Sequence, residues 1–553
     1  MKVSEAIAAA VAAESRTAFG LMGDGNIPLW GPMVKAGIEM FSARNEAAAV
    51  SMADGYARVT GTVGICTITW GPGLTQIGTS LVAAARNRTP MVLLVPEPPA
   101  GFKNNLQTFD HQRFVESCET KYLRLSKPDN LAEEVAEAFY LARTTSSPVM
   151  LGMYVDMLDK KLEWDLEYQP SSDFVPAPQA ASQAEIEKVV DELLAAERPV
   201  IVAGRGAKIS GARDAIVQAA DRAGALLATS LQAKGLFQGH AYDIGIAGSF
   251  ASRPTEELFA QADYVLGFGA ELGYYTSEGG LLFPSAKVTR IDHLAATPGI
   301  GIVPGRYVRG DAKLSAQEIA ASLERRKSQR EGFRNAETRK TLAAPAHVFD
   351  KPTDGLDPRQ LMRELSKALP RGAKVTCGVG HYFGFVGMYL ALPEGGDIQF
   401  SSQFGAVGQA LGIALGMSCA DRSQPRIFIE GDGSLLFHIQ ELDTVSRYKL
   451  PMVLVLLNDA GYGAEVWKLK TQGHDPQLAR WHAVDYVAIA KAFGGNGVLL
   501  EKEADLPAAV ARGLKQGGLF LIDCRISPTT LSDPYLKIHQ GSENRAPLLR
   551  RPS

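Results

Sequence analysis

The chain has 553 residues, with 57 Lys and Arg against 60 Asp and Glu, a net charge of −3 and 46% hydrophobic residues. At roughly 100–200 residues per domain, this length predicts about three domains and excludes a single small binding module. The balanced charge lacks the basic runs that bind phosphate backbones, which argues against a nucleic-acid partner. Five cysteines without a CxxC spacing favour reduced thiols over a disulfide framework or a zinc site.

The first residues, from Met1 to Arg16, form an Ala-rich amphipathic pattern that differs from a signal peptide. The sequence contains no apolar run of about 18 residues, which is the length needed for a membrane span. We therefore expect a soluble, cytoplasmic protein that has no membrane partner.

Two stretches rich in Pro, Ser and Asp interrupt the apolar periodicity, one from Tyr168 to Ser182 and one from Leu342 to Pro358. They predict linkers between three domains, followed by a short C-terminal tail. The expected bounds are 1–168, 183–341 and 358–532 for the domains and 533–553 for the tail. No repeat of short period is present, so a solenoid is not expected.

Each expected domain alternates short apolar runs with helical patterns, as is typical of parallel strands covered on both faces. The clearest predicted strands are Val63–Ile68, Met91–Val95, Pro199–Ala203, Tyr264–Phe268, Arg426–Glu430 and Met452–Leu457. The fold class is therefore α/β, with three doubly wound parallel-sheet domains. The first and third domains also end alike, each with a helix and then a strand, which predicts a shared topology.

Glu46 precedes a run of small residues from Ala47 to Ala57, which is typical of a closely packed helix. Taken alone, Glu46 is best interpreted as a carboxylate at the positive end of that helix.

The most specific pattern lies in the last third, where Glu430-Gly431-Asp432-Gly433-Ser434 follows one predicted strand and Asn458-Asp459-Ala460-Gly461-Tyr462 follows the next. Asp432 and Asp459 are 27 residues apart, so both are expected at the carboxyl ends of strands, where open α/β sheets bind ligands. Mg²⁺ prefers carboxylate, carbonyl and phosphate oxygens as ligands. An isolated Asp-Gly is usually a turn, but the joint pattern indicates a metal–diphosphate site.

This pattern resembles the diphosphate motif of the thiamine-diphosphate enzymes of the acetohydroxyacid (acetolactate) synthase and 2-oxo acid decarboxylase superfamily. That motif is GDG, a gap of about 24 residues and two asparagines; here the pair reads Asn458-Asp459. The resemblance implies thiamine diphosphate and Mg²⁺ as cofactors. It implies Mg²⁺ ligands at Asp432, at the side chain of Asp459 and at the carbonyl of Gly461. The Asp at position 459 keeps an oxygen ligand but adds a negative charge beside a diphosphate.

Two segments of the first third are similar to family blocks that contact the cofactor's pyrimidine ring. Arg44-Asn45-Glu46 is similar to the RHE block, with Asn45 in place of the His. In the family this Glu hydrogen-bonds the aminopyrimidine and promotes loss of the thiazolium C2 proton. Thr69–Gln76 is similar to the TSGPGATN loop, with Trp70 at a position that is usually small or His.

Two segments near the last third complete the cofactor-binding set that the resemblance implies. Ser402–Met417 is similar to the stretch in which a bulky residue, here Val407, supports the bent cofactor, although core packing would also explain Val407. His381 lies at the corresponding diphosphate loop. The implied cofactor-binding residues are Gly71, Gly73, His381, Gly405, Val407, Gly431, Asp432, Gly433, Ser434, Asp459, Gly461 and Tyr462.

Four further residues are similar to substrate-contacting positions and would be catalytic together with Glu46. Asp24 resembles the catalytic Asp of the decarboxylases, although an ordinary Asp-Gly turn explains it equally. Gln107 resembles a Gln that contacts the substrate carbonyl, and His111 follows it, although the decarboxylases' paired His is absent. Glu465 matches an active-site Glu of the decarboxylases, but an exposed helical Glu is an equal alternative.

The central third resembles the family's middle domain at Val200–Ala207 and at Tyr264–Leu272. In synthases and oxidases that domain binds FAD, and in acyl-CoA relatives it binds ADP or CoA. A Gly-rich strand–turn does not by itself identify a nucleotide. Because Gly269–Tyr275 replaces the synthases' charged segment, bound FAD is doubtful.

The first functional hypothesis is decarboxylation of a 2-oxo acid followed by carboligation, in which the remaining fragment joins a second carbonyl compound. The alternatives are a simple decarboxylase that releases an aldehyde, an acyl-CoA lyase or decarboxylase, and a non-catalytic paralogue. The expected partners are small molecules and further copies of the chain. The resemblance implies a homodimer or homotetramer in which Glu46 of one chain and Asp432 of another share a site.

Overall fold

The computed structural model describes residues 1–99, 101–102, 105–294, 303–344 and 349–539. Residues 345–348 of the second expected linker and residues 540–553 of the expected tail lie outside this description. Within it, the strands form three sheets of six strands each, and the paired strands are parallel. Helices flank these sheets, which confirms the predicted α/β class with three parallel-sheet domains.

The strands are short, and most of their residues are buried. Those of the first sheet are β1 (Thr17–Gly20), β2 (Glu39–Ser42), β3 (Gly64–Thr67), β4 (Met91–Glu97), β5 (Lys121–Leu125) and β6 (Pro148–Tyr154). Those of the central sheet are β7 (Pro199–Ala203), β8 (Leu226–Thr229), β9 (Asp243–Ile246), β10 (Tyr264–Phe268), β11 (Lys287–Asp292) and β12 (Arg306–Arg309). Those of the third sheet are β13 (Lys374–Cys377), β14 (Asp397–Phe400), β15 (Arg426–Gly431), β16 (Met452–Asn458), β17 (Asn496–Leu500) and β18 (Leu519–Arg525).

The first and third sheets have the same strand order, as their similar endings predicted. The orders are β2–β1–β3–β4–β6–β5 and β14–β13–β15–β16–β18–β17. The central sheet differs, with the doubly wound order β12–β11–β10–β7–β8–β9. In all three sheets the carboxyl ends of parallel strands meet at one edge, which is where the loops can form a site.

The chain divides into two compact units. Met1–Pro176, Ala373–Gly380 and Phe400–Ile526 form the first unit, which contains nearly all of the two outer sheets. Its helices are α1 (Val3–Glu14), α2 (Ile27–Lys35), α3 (Glu46–Thr60), α4 (Pro72–Gln76), α5 (Gly78–Arg86), α6 (His111–Ser117), α7 (Leu131–Thr145), α17 (Gln409–Ala420), α18 (Asp432–Leu435), α19 (Leu442–Arg447), α20 (Gly463–Thr471), α21 (Tyr486–Ala492) and α22 (Leu506–Gln516).

The second unit contains the central sheet. It comprises Ala177–Gly372, His381–Gln399 and the described residues from Ser527 onward. Its helices are α8 (Gln183–Ala195), α9 (Arg205–Ile209), α10 (Arg213–Ala223), α11 (Arg253–Phe259), α12 (Tyr274–Ser277), α13 (Ala312–Arg325), α14 (Ala336–Leu342), α15 (Pro358–Ala368), α16 (Phe383–Tyr389) and α23 (Asp533–His539). No helix in the described part of the chain is both long enough and apolar enough to cross a lipid bilayer.

Helices α3 and α17 join the two outer domains inside the first unit, and their small residues allow a close approach. A Cβ added at Gly416 would lie 1.8 Å from the carbonyl oxygen of Met52, and one added at Gly55 would lie 2.0 Å from that of Ile413. Both distances are shorter than atoms tolerate, so the backbones meet only because glycine stands at these positions. The small-residue run after Glu46 therefore packs against a helix of the other outer domain.

Candidate active site

Glu46 is the first residue of α3 and lies at the carboxyl end of β2. The Asn45 side chain caps the helix by accepting a hydrogen bond from the Ala47 amide at 2.9 Å. The Glu46 side chain is half-buried, and a Cβ added at Gly73 would lie 3.4 Å from Glu46 Oε1. Such a Cβ would also lie 2.8 Å from Thr69 Cγ2, so glycine at position 73 lets the backbone pack against Thr69 beside the carboxylate.

The loop after β3 brings three other predicted residues together. Gly71 has φ +61°, and a Cβ at this position would lie 2.6 Å from Gln107 Cβ. The Trp70 ring lies against Gly25, and the Gly25 amide donates to Thr69 Oγ1 at 3.1 Å. The loop that carries Asp24 thus lies against Trp70, and Gln107 lies against the neighbouring Gly71.

Asn26, which the sequence analysis did not single out, shapes the Asp24 loop. Its buried side chain accepts from the Gly23 amide at 2.8 Å and donates to the Leu21 carbonyl at 3.1 Å. Asp24 itself is exposed. Asn26 ends the Gly-Asp-Gly-Asn run of residues 23–26, and such a run by itself predicts a turn that an Asn side chain closes.

His111 is buried at the start of α6, where Asp110 caps the helix through the Arg113 amide at 3.0 Å. Neither ring nitrogen of His111 has a hydrogen-bond partner among the described residues. The ring lies 4.8 Å from that of Phe109, and burial lowers the pKa of His111. Gln107 is exposed while His111 is buried, so the side chains of these two candidates do not lie on the same surface.

Asp432 lies at the carboxyl end of β15 and begins α18, with 1% of its surface exposed. Its Oδ2 atom has no hydrogen-bond partner within the described chain, although the Gly433 and Asp459 amides face the carboxyl group. Burial and the neighbouring Asp459 raise the pKa of Asp432. A buried acidic oxygen without a hydrogen-bond partner is suited to bind a cation.

The segment after β16 holds Asp459 beside Asp432. Asn458 fixes it, because its side chain donates to Asp523 Oδ1 at 2.9 Å and accepts from the Ala460 amide at 3.1 Å. Ala460 has φ +52°, so the chain turns sharply before Gly461. Burial raises the pKa of Asp459 as well, and a hydrogen bond with the Asp432 carboxyl group and the nearby Arg480 guanidinium oppose that effect.

Gly433 lies in a cradle of aromatic rings. A Cβ at this position would lie 2.8 Å from Trp481 Cη2 and 2.9 Å from Tyr462 Cδ1, and these two rings meet edge to face at 4.9 Å. Ser434 Oγ accepts from the Gly408 amide at 2.8 Å, which ties the loop before α17 to the GDG turn. Trp481 lies in no motif, and only the folded chain identifies it.

The loop before α17 carries two further predicted cofactor residues. Gly405 has φ +70° with open space around a Cβ, and Val407 is half-buried just before the helix. Through the Ser434 bond this loop lies beside the GDG turn. The structure therefore groups the predicted diphosphate-binding residues of the third sheet at one edge.

Two predicted residues have other contacts. Glu465 is exposed on α20, and its carboxylate lies 3.5 Å from Lys468 Nζ. His381 belongs to the second unit, where its Nε2 accepts from the Ser532 amide at 3.4 Å and its ring lies edge-on to Phe385 and Tyr535. Burial lowers the pKa of His381 to about 4.

The residues present suit a divalent cation shared with an anionic ligand. No group of three or more His, Cys, Asp or Glu side chains in the described ranges could hold a metal ion by itself. Two carboxylates and nearby carbonyls would leave coordination positions for oxygens of a diphosphate, and Mg²⁺ is usually bound in this way. The unpartnered Asp432 Oδ2 fits such a group, and glycine at position 433 leaves room for the Trp481 and Tyr462 rings beside it.

Fold and site together define a three-sheet α/β enzyme whose two similar outer domains each present part of a binding site. Three stretches match domains of one family: residues 1–116 the thiamine pyrophosphate enzyme N-terminal TPP binding domain, 186–319 the central domain and 378–524 the C-terminal TPP binding domain. These matches follow the order of the three sheets. The chain belongs to the thiamine pyrophosphate enzymes.

Relatives are similar along nearly their whole length. A sulfoacetaldehyde acetyltransferase of Alcaligenes xylosoxydans xylosoxydans is 28% identical, over 94% of this chain and 91% of that protein. The acetolactate synthase large subunit of Haemophilus influenzae is 24% identical, over 92% of this chain and 91% of its own length. The acetolactate synthase large subunit of Cyanidium caldarium is 24% identical, over 95% of this chain and 93% of its own length.

Proposed function

We propose that this protein uses thiamine diphosphate and Mg²⁺ to decarboxylate a 2-oxo acid and to transfer the remaining fragment to a second carbonyl compound. The buried, unpartnered Asp432 Oδ2 beside Asp459 is the observation that carries the proposal. Relatives named as acetolactate synthase and as sulfoacetaldehyde acetyltransferase support transfer over simple release.

The third sheet would hold the charged end of the cofactor. Asp432, the Asp459 side chain and the Gly461 carbonyl are the proposed Mg²⁺ ligands. Ser434, Tyr462 and the Gly433 backbone would contact the diphosphate. When bound, thiamine diphosphate supplies a nucleophilic carbon and an electron sink for loss of CO₂.

The first sheet would hold the pyrimidine end and the substrate. Glu46 would share a proton with the ring nitrogen of the aminopyrimidine through a hydrogen bond and so govern movement of the proton that must leave the thiazolium C2 atom. Gly71 and Gly73 would let the ring approach the backbone. Trp70, lying on Gly25, would close one wall of the pocket and exclude water.

A second candidate is a decarboxylase that releases an aldehyde. It is favoured by Asp24, which is exposed on a loop that lies against Trp70. An acid at that position could return a proton to the fragment left after CO₂ departs. The two candidates therefore differ in what meets that fragment, either a proton or a second carbonyl carbon.

The deciding experiment incubates the purified protein with thiamine diphosphate, Mg²⁺ and a panel of 2-oxo acids, each alone and with an added aldehyde acceptor. Sulfoacetaldehyde is a separate arm, because it appears in the name of a relative. Acetohydroxy acid or acyloin products would support carboligation, and free aldehyde alone would support the second candidate. No cofactor uptake in a calorimetric titration would refute both.

A further inference from the structure

The connection between β2 and α3, from Ser42 to Glu46, is held by side chains from the other outer domain. The Ser42 amide donates to the Tyr448 hydroxyl at 2.7 Å, and the Arg447 guanidinium donates to the Ser42 carbonyl. β2 is an edge strand of the first sheet, so these backbone groups need partners from outside that sheet. Helix α19 and its flanking residues supply them.

Glu441, directly before α19, is the buried member of this group. It has no exposed surface, its Oε1 accepts from the Arg44 amide at 2.9 Å, and its Oε2 accepts from Thr444 Oγ1 at 2.7 Å. The Asn45 amide also faces the carboxylate. A buried carboxylate is costly unless hydrogen bonds fix it, and here both oxygens are engaged by specific donors.

These bonds lie next to the proposed activating residue. Arg44 and Asn45 immediately precede Glu46, and Asn45 is also the cap of α3. If Glu441 were absent, the Arg44 amide would lose its acceptor and the entry into α3 would be free to shift. A shift of about 1 Å in a catalytic group can lower a rate about 100-fold.

Glu441 also follows the cation site closely in sequence, nine residues after Asp432. The four-residue α18 begins at Asp432, and one further turn, Ile439–Glu441, ends at Glu441. A short connection therefore runs from the GDG turn to Glu441, whose carboxylate accepts from the backbone that carries Glu46.

We propose that Glu441 is a positioning residue that sets the orientation of Glu46 through the Arg44 and Asn45 amides. This inference rests on the proposed function, since it assigns Glu441 a part in the proton transfer that Glu46 governs. Glu441 acts on Glu46 through the backbone and does not itself touch the cofactor.

The chain offers a matched control on the same contact. Asp443 binds the side chain of Arg44, with Arg44 Nε 2.6 Å from Asp443 Oδ2, whereas Glu441 binds the Arg44 backbone. The Arg44 and Asp443 side chains are 49% and 33% exposed, and such pairs contribute little. Asp443→Asn therefore removes an acid from the same helix region without freeing the Arg44 amide.

The experiment compares Glu441→Ala, Glu441→Gln and Asp443→Asn by three readouts. The first is hydrogen exchange of the amides of residues 44–48 without cofactor. The second is thiamine-diphosphate affinity, and the third is the rate at which the C2 proton of bound thiamine diphosphate exchanges with solvent deuterium. Glu441→Ala should speed amide exchange and slow C2 exchange by about 10–100-fold each, since a buried donor loses its partner.

Affinity should change less than about threefold in Glu441→Ala, because the diphosphate site is untouched. Glu441→Gln keeps an acceptor oxygen and should recover part of both rates, and Asp443→Asn should behave like the wild type. If Glu441→Ala does not fold, Thr444→Val, which removes the hydroxyl that donates to Glu441 and accepts from Arg447, should show the same pattern more weakly.

C2 exchange at the wild-type rate in the foldable Glu441 or Thr444 variants would overturn the inference, as would an equal loss in Asp443→Asn. Failure of the wild-type protein to bind thiamine diphosphate would instead refute the proposed function. The amide-exchange arm needs no cofactor, so it tells the two failures apart: it still reports whether Glu441 holds the entry into α3.

Discussion

Asn45 and Asp459 each replace a residue of the family pattern, and each has a physical consequence. Asn45 stands where the family has His, and its short side chain caps α3 through the Ala47 amide. Asp459 stands where the family has Asn, and its charge adds to the effect of burial in raising the pKa of Asp432. The first change stabilises the helix that carries Glu46, while the second adds a negative charge to the proposed cation site.

At this scale we predict that Glu46→Gln keeps thiamine-diphosphate binding but lowers turnover at least about 100-fold, because the amide cannot exchange a proton with the aminopyrimidine. Calorimetry and product assays measure the two effects. Glu39→Gln, an exposed substitution on the preceding strand, is the matched control and should retain both properties. Wild-type turnover in Glu46→Gln would contradict the assigned role.

Short motifs explain which site residues the sequence could predict. Asp432 and Glu46 belong to runs whose residue types and spacing carry chemistry by themselves. Trp481, Asp523 and Glu441 belong to no such run, because their contacts come from elements distant in sequence that only the fold brings together. Their residue types, one aromatic and two acids, are also common in ordinary packing.

Among the elements, the α3–α17 contact depends on glycine. We predict that Gly416→Ala destabilises the first unit by about 1–3 kcal/mol, because the new methyl group would overlap the Met52 carbonyl. A lower thermal unfolding midpoint would show this. Gly31→Ala in α2, where nothing lies within 4 Å of an added Cβ, should leave the midpoint nearly unchanged. Equal midpoints for the two variants would argue against close helix packing.

In the central domain, Glu192 of α8 joins three strands. Its Oε2 accepts from Tyr264 at 2.9 Å, from Thr289 at 3.1 Å and from Arg306 at 2.6 Å, and Lys287 lies 2.8 Å from its Oε1. Burial alone would raise the pKa of Glu192, but the bonds from Lys287, Arg306 and Tyr264 lower it to about 2. The charged form is therefore favoured in the folded state.

A depressed folded-state pKa contributes stability that is present above the unfolded value of 4.5 and is lost as pH falls toward about 2. We predict that Glu192→Gln lowers the thermal midpoint at pH 7 and that its difference from the wild type shrinks below about pH 4.5. Thermal scans from pH 7 to pH 3 measure this. If the difference in thermal midpoint between the wild type and Glu192→Gln grew as the pH fell, the pKa of Glu192 would not be lowered by folding.

Local sequence patterns predict the positions of buried strands but not the unit to which an element belongs. The apolar runs Val63–Ile68 and Arg426–Glu430 locate β3 and β15 to within one residue, because buried parallel strands have a strong local signal. The sequence predicts a domain from 358 to 532, and its local pattern does not show that Pro358–Gly372 and His381–Gln399 lie in the second unit. Which unit a helix joins depends on distant contacts that leave no local periodicity.

At the scale of the whole molecule, the two outer sheets have the same strand order, and the domains that contain them match the N-terminal and C-terminal TPP binding domains. The first unit also exposes large apolar side chains near both halves, since Leu106 adjoins Gln107 and Phe404, Leu436, Phe437 and Tyr462 lie around the GDG turn. Exposed apolar clusters of this kind favour a contact surface. We propose that a second copy of the chain covers them, with Glu46 of one chain and Asp432 of the other completing each site.

That proposal predicts complementation between two inactive variants. Glu46→Gln and Asp432→Asn chains carrying different tags are co-expressed, and the mixed dimer is isolated by sequential affinity steps. If the sites are shared, one site of the mixed dimer carries both substitutions and the other carries neither, so about half of the wild-type activity should return. If each site came from a single chain, the mixed dimer would stay as inactive as either parent. Sedimentation supplies the independent check, because a fully active monomer would exclude a shared site.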